Sequence, residues 1–142
     1  MTQKNYLDIK KSRQEAEQLR EHINTMIRDE NIVVVEGIKD KKALEEFGIR
    51  NILVLNKRPL YAVVEKVATV VDKTKKLTGE KISVVILTDL DKTGKKLYGK
   101  LNSDLQHFGV RIDNKFREFL FNETKLRQIE GMKKYVERLE EI

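Results

Sequence analysis

Glu36, Asp89 and Asp91 are the residues whose types and placement could do chemistry. Glu36, followed by Gly37, stands just past the apolar run Ile32-Val33-Val34-Val35. Asp89 and Asp91 follow a second run, Ile82-Ser83-Val84-Val85-Ile86-Leu87, in the stretch Thr88-Asp89-Leu90-Asp91, with Gly94 close behind. If the second run continues as a strand, Asp89 and Asp91 share one face, because side chains alternate with period two. Carboxylates at the carboxyl ends of parallel strands face the crevice where an open α/β sheet places its ligand. Three hard oxygen donors there suit Mg²⁺, which is held by one or two carboxylates, retained waters and substrate phosphates. Phosphate chemistry is the leading expectation.

The bulk composition narrows this further. At 142 residues the chain fits one domain that buries a core without disulfides. It has no cysteine, which excludes thiolate chemistry and cysteine-based zinc sites, and its two histidines, His22 and His107, lie far apart. A histidine-rich zinc site or a Ser-His-Asp triad is therefore not expected. No stretch approaches a membrane span and Met1-Thr2-Gln3-Lys4-Asn5 does not read as a signal peptide, so a soluble, cytoplasmic protein without a membrane partner is expected. Lys and Arg number 29 against 23 Asp and Glu, a net charge of +6. A basic surface around an acidic pocket suits a nucleic-acid partner, DNA or RNA. A charged fraction of 37% also fits a heat-adapted protein laced with surface ion pairs.

The elements that must position the three acids can be read from periodicity. Residues 7–29 form a helix with Leu19, Ile23, Met26 and Ile27 on a narrow apolar stripe, and its polar first half is free to meet a protein partner. Strands are expected at 32–35, 52–55, 82–87 and 110–112, and helices at 40–47, from Pro59 onward and at 93–108, with Gly48 and Gly109 as stops. The tail from Lys115 reads as helical. Leu97, Leu101, Leu105 and Phe108 should be buried, as should Phe116, Phe119, Phe121 and Tyr135. Apolar strands separated by helices imply a doubly wound α/β domain with right-handed crossovers.

Glu36-Gly37 after an apolar strand, the Lys39-Asp40 pair, about fifty residues, then a second apolar strand with Asp89-x-Asp91 and Gly94 together resemble a Toprim domain. Toprim domains occur in type IA and type II topoisomerases, bacterial primases, overcoming-lysogenization-defect-type nucleases, recombination-repair proteins and the ribonuclease that matures 5S ribosomal RNA. The resemblance covers residues 30–115, with a helix at 1–29 and a helical extension at 116–142, and the size is similar to that of small stand-alone Toprim proteins of archaea and bacteria. It implies a Rossmann-like, four-stranded parallel sheet of order 2-1-3-4 with helices on both faces. It further implies that Glu36 is a metal-linked general acid/base, that Asp89 is the principal Mg²⁺ ligand and that Asp91 binds a second or shared ion, with Mn²⁺ as a substitute. Leu90 between the aspartates and Lys92-Thr93 after them depart from the pattern of many relatives.

Each residue also has a plainer role. Glu36 could be a surface acid at a strand end, and Asp91 could cap the helix that begins near Thr93. Lys39 and Lys92, and the loop residues Lys57 and Arg58, are candidates for phosphate contacts or simply solvated charges. Two other functions compete with a nuclease or nucleic-acid-processing enzyme. One is a Mg²⁺-dependent nucleic-acid-binding module whose chemistry needs a partner. The other is a haloacid-dehalogenase-like phosphatase with Asp89 as nucleophile and Asp91 as general acid, which leaves Glu36 without a role.

Overall fold

The computed structural model describes residues 6–141; residues 1–5, where the polar start of the expected 1–29 segment falls, and residue 142 lie outside the described residues. The chain runs α1 (Tyr6–Arg28), β1 (Ile32–Val35), α2 (Ile38–Glu45), β2 (Ile52–Val54), α3 (Leu60–Thr78), β3 (Val84–Ile86), α4 (Lys92–His107), α5 (Lys115–Glu123), a 3₁₀ turn (Ile129–Gly131) and α6 (Met132–Glu140). β1 lies at the centre of a parallel sheet of order β2-β1-β3, with Val33 opposite both Ile52 and Val85.

Because strand side chains alternate, the sheet supports a core on each face. Val33, Val35 and Val85 pack with Leu19, Ile23 and Met26 of α1, Leu44 of α2, Phe116 and Leu120 of α5, and Val136 of α6. Ile32, Val34, Val84 and Ile86 pack with Val63, Val64 and Val67 of α3 and Leu101 and Leu105 of α4. All four residues of β1 are buried, the signature of a central strand covered on both sides. Among the described residues no helix is long and apolar enough to cross a membrane.

The expected fourth strand is not formed. Residues 110–112 reach β3 through one parallel bridge, Val84 to Ile112, held by Val84 N–H to Arg111 O and Asp113 N–H to Val84 O, both 2.9 Å. The segment lies beside β3, where a fourth strand would stand, but is too short to extend the ladder; the sheet has three strands, not four. β3 itself ends at Ile86, so Asp89 and Asp91 sit on a turn and the period-two argument for their shared face does not apply. Phe108, expected in the core, is 58% exposed because α4 ends at His107 and the chain turns at Gly109, whose φ of +77° favours glycine. The tail is helical only in pieces, broken by an extended stretch from Thr124 to Gln128.

Candidate functional site at the carboxyl edge of the sheet

The site is assembled where β1 and β3 end. Leu87 N–H still donates to Val34 O at 2.8 Å, as a ladder should. Two residues on, Asp89 N–H finds the Glu36 carboxylate instead, Oε2 accepting at 2.6 Å, while Glu36 O accepts from Asn56 N–H at 2.9 Å. The Glu36 side chain thus replaces a backbone acceptor and ends the pairing. Asp89 Oδ1 in turn accepts from Ile129 N–H at 2.9 Å, and Leu90 N–H donates to Arg127 O at 2.7 Å. The extended stretch before the 3₁₀ turn therefore forms a wall of the site.

Asp91 is the N-cap of α4, its Oδ1 accepting from Gly94 N–H at 2.8 Å. Gly94 is required at this point. A Cβ there would lie 1.9 Å from Asp89 O, so the helix could not approach the loop so closely with any other residue. Thr88, fully buried, fastens the same junction by donating to Gly94 O at 2.7 Å.

Three residues that the sequence did not mark as site residues belong here. Asp40, 7% exposed on α2, accepts from Gly37 N–H at 3.0 Å. Burial pushes its carboxyl up to about 6, the Gly37 bond opposes this, and the charges of Asp89, Glu36 and Glu130 add to the rise. Glu130, in the 3₁₀ turn, is an exposed acid whose charge acts on Asp40 and Asp89. Arg117 of α5, also 7% exposed, donates to Ile86 O, Thr88 O and Asp89 O at 3.2, 2.6 and 3.1 Å. Its guanidinium also covers the Tyr98 ring at 4.5 Å, and Tyr98 OH donates to Asn114 Oδ1 at 2.6 Å. Arg117 ties off the carbonyls that β3 leaves open and sets one fixed positive charge among the acids. Only tertiary contact reveals it.

The electrostatics are those of crowded, half-buried acids. Burial raises the Glu36 carboxyl above its usual range; the bond from Asp89 N–H lowers it, the charges of Asp89 and Asp91 raise it further, and Arg117 pulls it back. Asp89 is raised chiefly by burial, against the Ile129 bond, with Asp91 and Glu130 adding to the rise and Arg117 lowering it. The second oxygens, Glu36 Oε1, Asp89 Oδ2 and Asp91 Oδ2, take no protein hydrogen bond among the described residues. As the side chains stand, no three acids or histidines among the described residues are gathered tightly enough to enclose one ion.

The basic candidates fall in different places. Lys39 and Lys92 are exposed at the starts of α2 and α4, beside the acids in sequence. Lys57 is exposed with φ +60°, following Asn56 at +46°. Arg58, also exposed, donates from Nε to Leu55 O at 3.2 Å and from one terminal nitrogen to Val54 O, closing the end of β2, while its other terminal nitrogen has no protein partner among the described residues. His107 is exposed beside Phe108, away from the acids.

No family model matches the chain. A UPF0292 protein of Methanocaldococcus jannaschii is 27% identical over 113 residues, which cover 78% of this chain and 81% of that one. A solved structure of a protein from Aquifex aeolicus superposes with a TM-score of 0.64 at 29% identity, covering 81% of this chain and 95% of the other. The mixed α/β fold is thus shared with an experimental structure. A UPF0292 protein of Methanosarcina barkeri is 34% identical over 113 residues, 76% of this chain and 71% of that protein. At that identity and coverage, the chain belongs to the UPF0292 family.

Proposed function

We propose that the protein is a Toprim-like, Mg²⁺-dependent protein acting on nucleic-acid phosphodiesters. The observation that carries this reading is the pairing of Glu36 with Asp89 across the ends of two adjacent parallel strands, with Asp91 two residues on. The donor set fits Mg²⁺ in kind: Glu36 Oε1, Asp89 Oδ2 and Asp91 Oδ2 are hard oxygens with no protein partner among the described residues. An enclosing group of three is not required, since Mg²⁺ keeps several waters and is held by one or two carboxylates. Asp89 and Asp91 would hold one or two ions with Glu36 beside them, and Mn²⁺ could substitute. Bound there, the metal would neutralise charge on a phosphodiester's oxygens.

The chain's own residues supply the rest. Glu36, its carboxyl raised above the usual range by burial and by its acidic neighbours, is the candidate to hold and pass on a proton. Arg117 fixes the Thr88 and Asp89 backbone against the pull of those charges. Lys92, Lys96 and Lys100 are exposed at four-residue spacing along α4, a basic row leading away from Asp91 that suits a phosphate backbone.

A second reading is a Mg²⁺-dependent nucleic-acid-binding module that works with a protein partner. It is favoured by the amide that each carboxylate already accepts, which suits a structural role. Incubation of wild type and Glu36→Gln with single- and double-stranded DNA and RNA, with Mg²⁺ or Mn²⁺, separates the two. The glutamine still accepts from Asp89 N–H but cannot titrate, so the expected result is cleavage lost by about 10²–10⁴-fold with binding kept. No metal-dependent cleavage by wild type on any substrate would refute the enzyme and leave the module.

A further inference from the structure

Beside the acidic site, between α4 and α5, lies a cavity of about 270 Å³ that shares Leu90 and Arg117 with it. Phe121, on the exposed side of α5, opens into this cavity and is 43% exposed, although its neighbours Phe116 and Leu120 are buried in the core. Lys95 Nζ sits 4.2 Å from the Phe121 ring centroid and Arg127 lies 5.3 Å away. Asn114, whose Oδ1 is taken by Tyr98, lines the cavity with its amide Nδ2 unpartnered among the described residues, and Asn122 and the acid Glu118 line it as well.

We propose that this cavity is a subsite for one unstacked nucleobase, so that the nucleic acid served by the acidic site is single-stranded where it binds. The proposal rests on the nucleic-acid reading above and names its substrate class. The volume falls just under the roughly 300–1,000 Å³ of a drug-sized site, enough for one planar ring system and too little for a duplex step. An aromatic face with cations around it is the platform on which single strands stack, and every base offers a matching face. A base entering here takes the ring face now covered by the flexible Lys95 side chain, and the released ammonium is left to meet the strand's phosphate. Asn114 and Asn122 supply amides for the base edge. Leu90, which lines the cavity, ties the base to the loop that carries Asp89 and Asp91. A paired base, stacked on both sides within a helix, cannot enter.

The test is fluorescence anisotropy of short labelled oligonucleotides, single-stranded and duplex, with Ca²⁺ in place of Mg²⁺ so that binding is read without relying on cleavage. Wild type should prefer the single strand. Phe121→Ala should weaken single-strand binding about 5- to 150-fold, the loss that removing one stacking partner brings, while leaving duplex binding unchanged. Phe121→Trp should restore it, and Phe121→Leu, which keeps the apolar bulk and serves should the alanine variant not fold, should not. Equal single-strand binding by wild type and Phe121→Leu would overturn the subsite and leave the acidic-site reading standing. Absence of metal-dependent cleavage by wild type with the single-strand preference intact would overturn the enzyme and leave the subsite standing on the binding-module reading. Wild type that binds neither strand would overturn both.

Discussion

Asp40→Asn isolates the most perturbed acid in the molecule. The folded state raises this carboxyl from its ordinary value of 3.8 to about 6, because burial at 7% exposure and the charges of Asp89, Glu36 and Glu130 outweigh the bond from Gly37 N–H. The folded protein therefore holds this proton more tightly than the unfolded chain does. The corresponding stability is fully present below pH ~4 and is lost as pH rises through about 6. At about 1.36 kcal/mol per pKa unit the full effect is about 3 kcal/mol, of which about 1.4 kcal/mol separates pH 5 from pH 8. Asparagine keeps an oxygen to accept from Gly37 N–H and carries no charge at any pH. Relative to wild type, Asp40→Asn should gain about 1.4 kcal/mol on going from pH 5 to pH 8, about 4–6 °C in Tm for a chain of this size. Thermal melts of both proteins, without divalent cations and at matched ionic strength, measure this difference of differences. A wild-type-minus-variant gap that stays flat from pH 5 to pH 8 would refute the reasoning, and one of opposite sign would mean that Asp40 is stabilised as an anion.

Two other substitutions probe how the site is built. Arg117→Met leaves Ile86 O, Thr88 O and Asp89 O without their donor, so urea unfolding should show a loss of about 2–5 kcal/mol, whereas an exposed arginine would cost under about 1 kcal/mol. Gly94→Ala forces a methyl group against Asp89 O and should destabilise by about 3 kcal/mol or more, or displace α4 from the loop; a change under about 0.5 kcal/mol would mean the helix is not seated as described.

What could be read in the sequence was whatever periodicity writes locally. The run from Ile32 to Val35 is apolar throughout because β1 is covered on both faces, and the spacing of Leu101 and Leu105 marks the buried side of α4. Glu36, Asp89 and Asp91 were visible because apolar strands end just before them. The interactions among them were not legible, since each depends on a backbone amide brought from elsewhere: Asp89 for Glu36, Ile129 for Asp89, Gly94 for Asp91. Arg117 and Glu130 lie in a tail whose helical pattern hides the break at Thr124–Gln128, and it is that break which carries Ile129 to Asp89. The expected burial of Phe121 failed because α5 is only nine residues long and presents one face to the core. Lys39 and Asp40 are adjacent in the sequence, but burial sends them to opposite fates, the lysine to solvent and the aspartate into the site.

The central claim is that the acids at the ends of β1 and β3 hold a divalent cation. Isothermal titration of Mg²⁺, and of Mn²⁺ in parallel, into wild type and Asp89→Asn tests it without reference to any substrate. Asp89→Asn keeps an oxygen for Ile129 N–H and removes the charge, so the fold should survive while the metal's binding heat disappears. Saturable binding in wild type and none in the variant is the predicted result. Absence of binding in wild type, or equal binding in both proteins, would contradict the account.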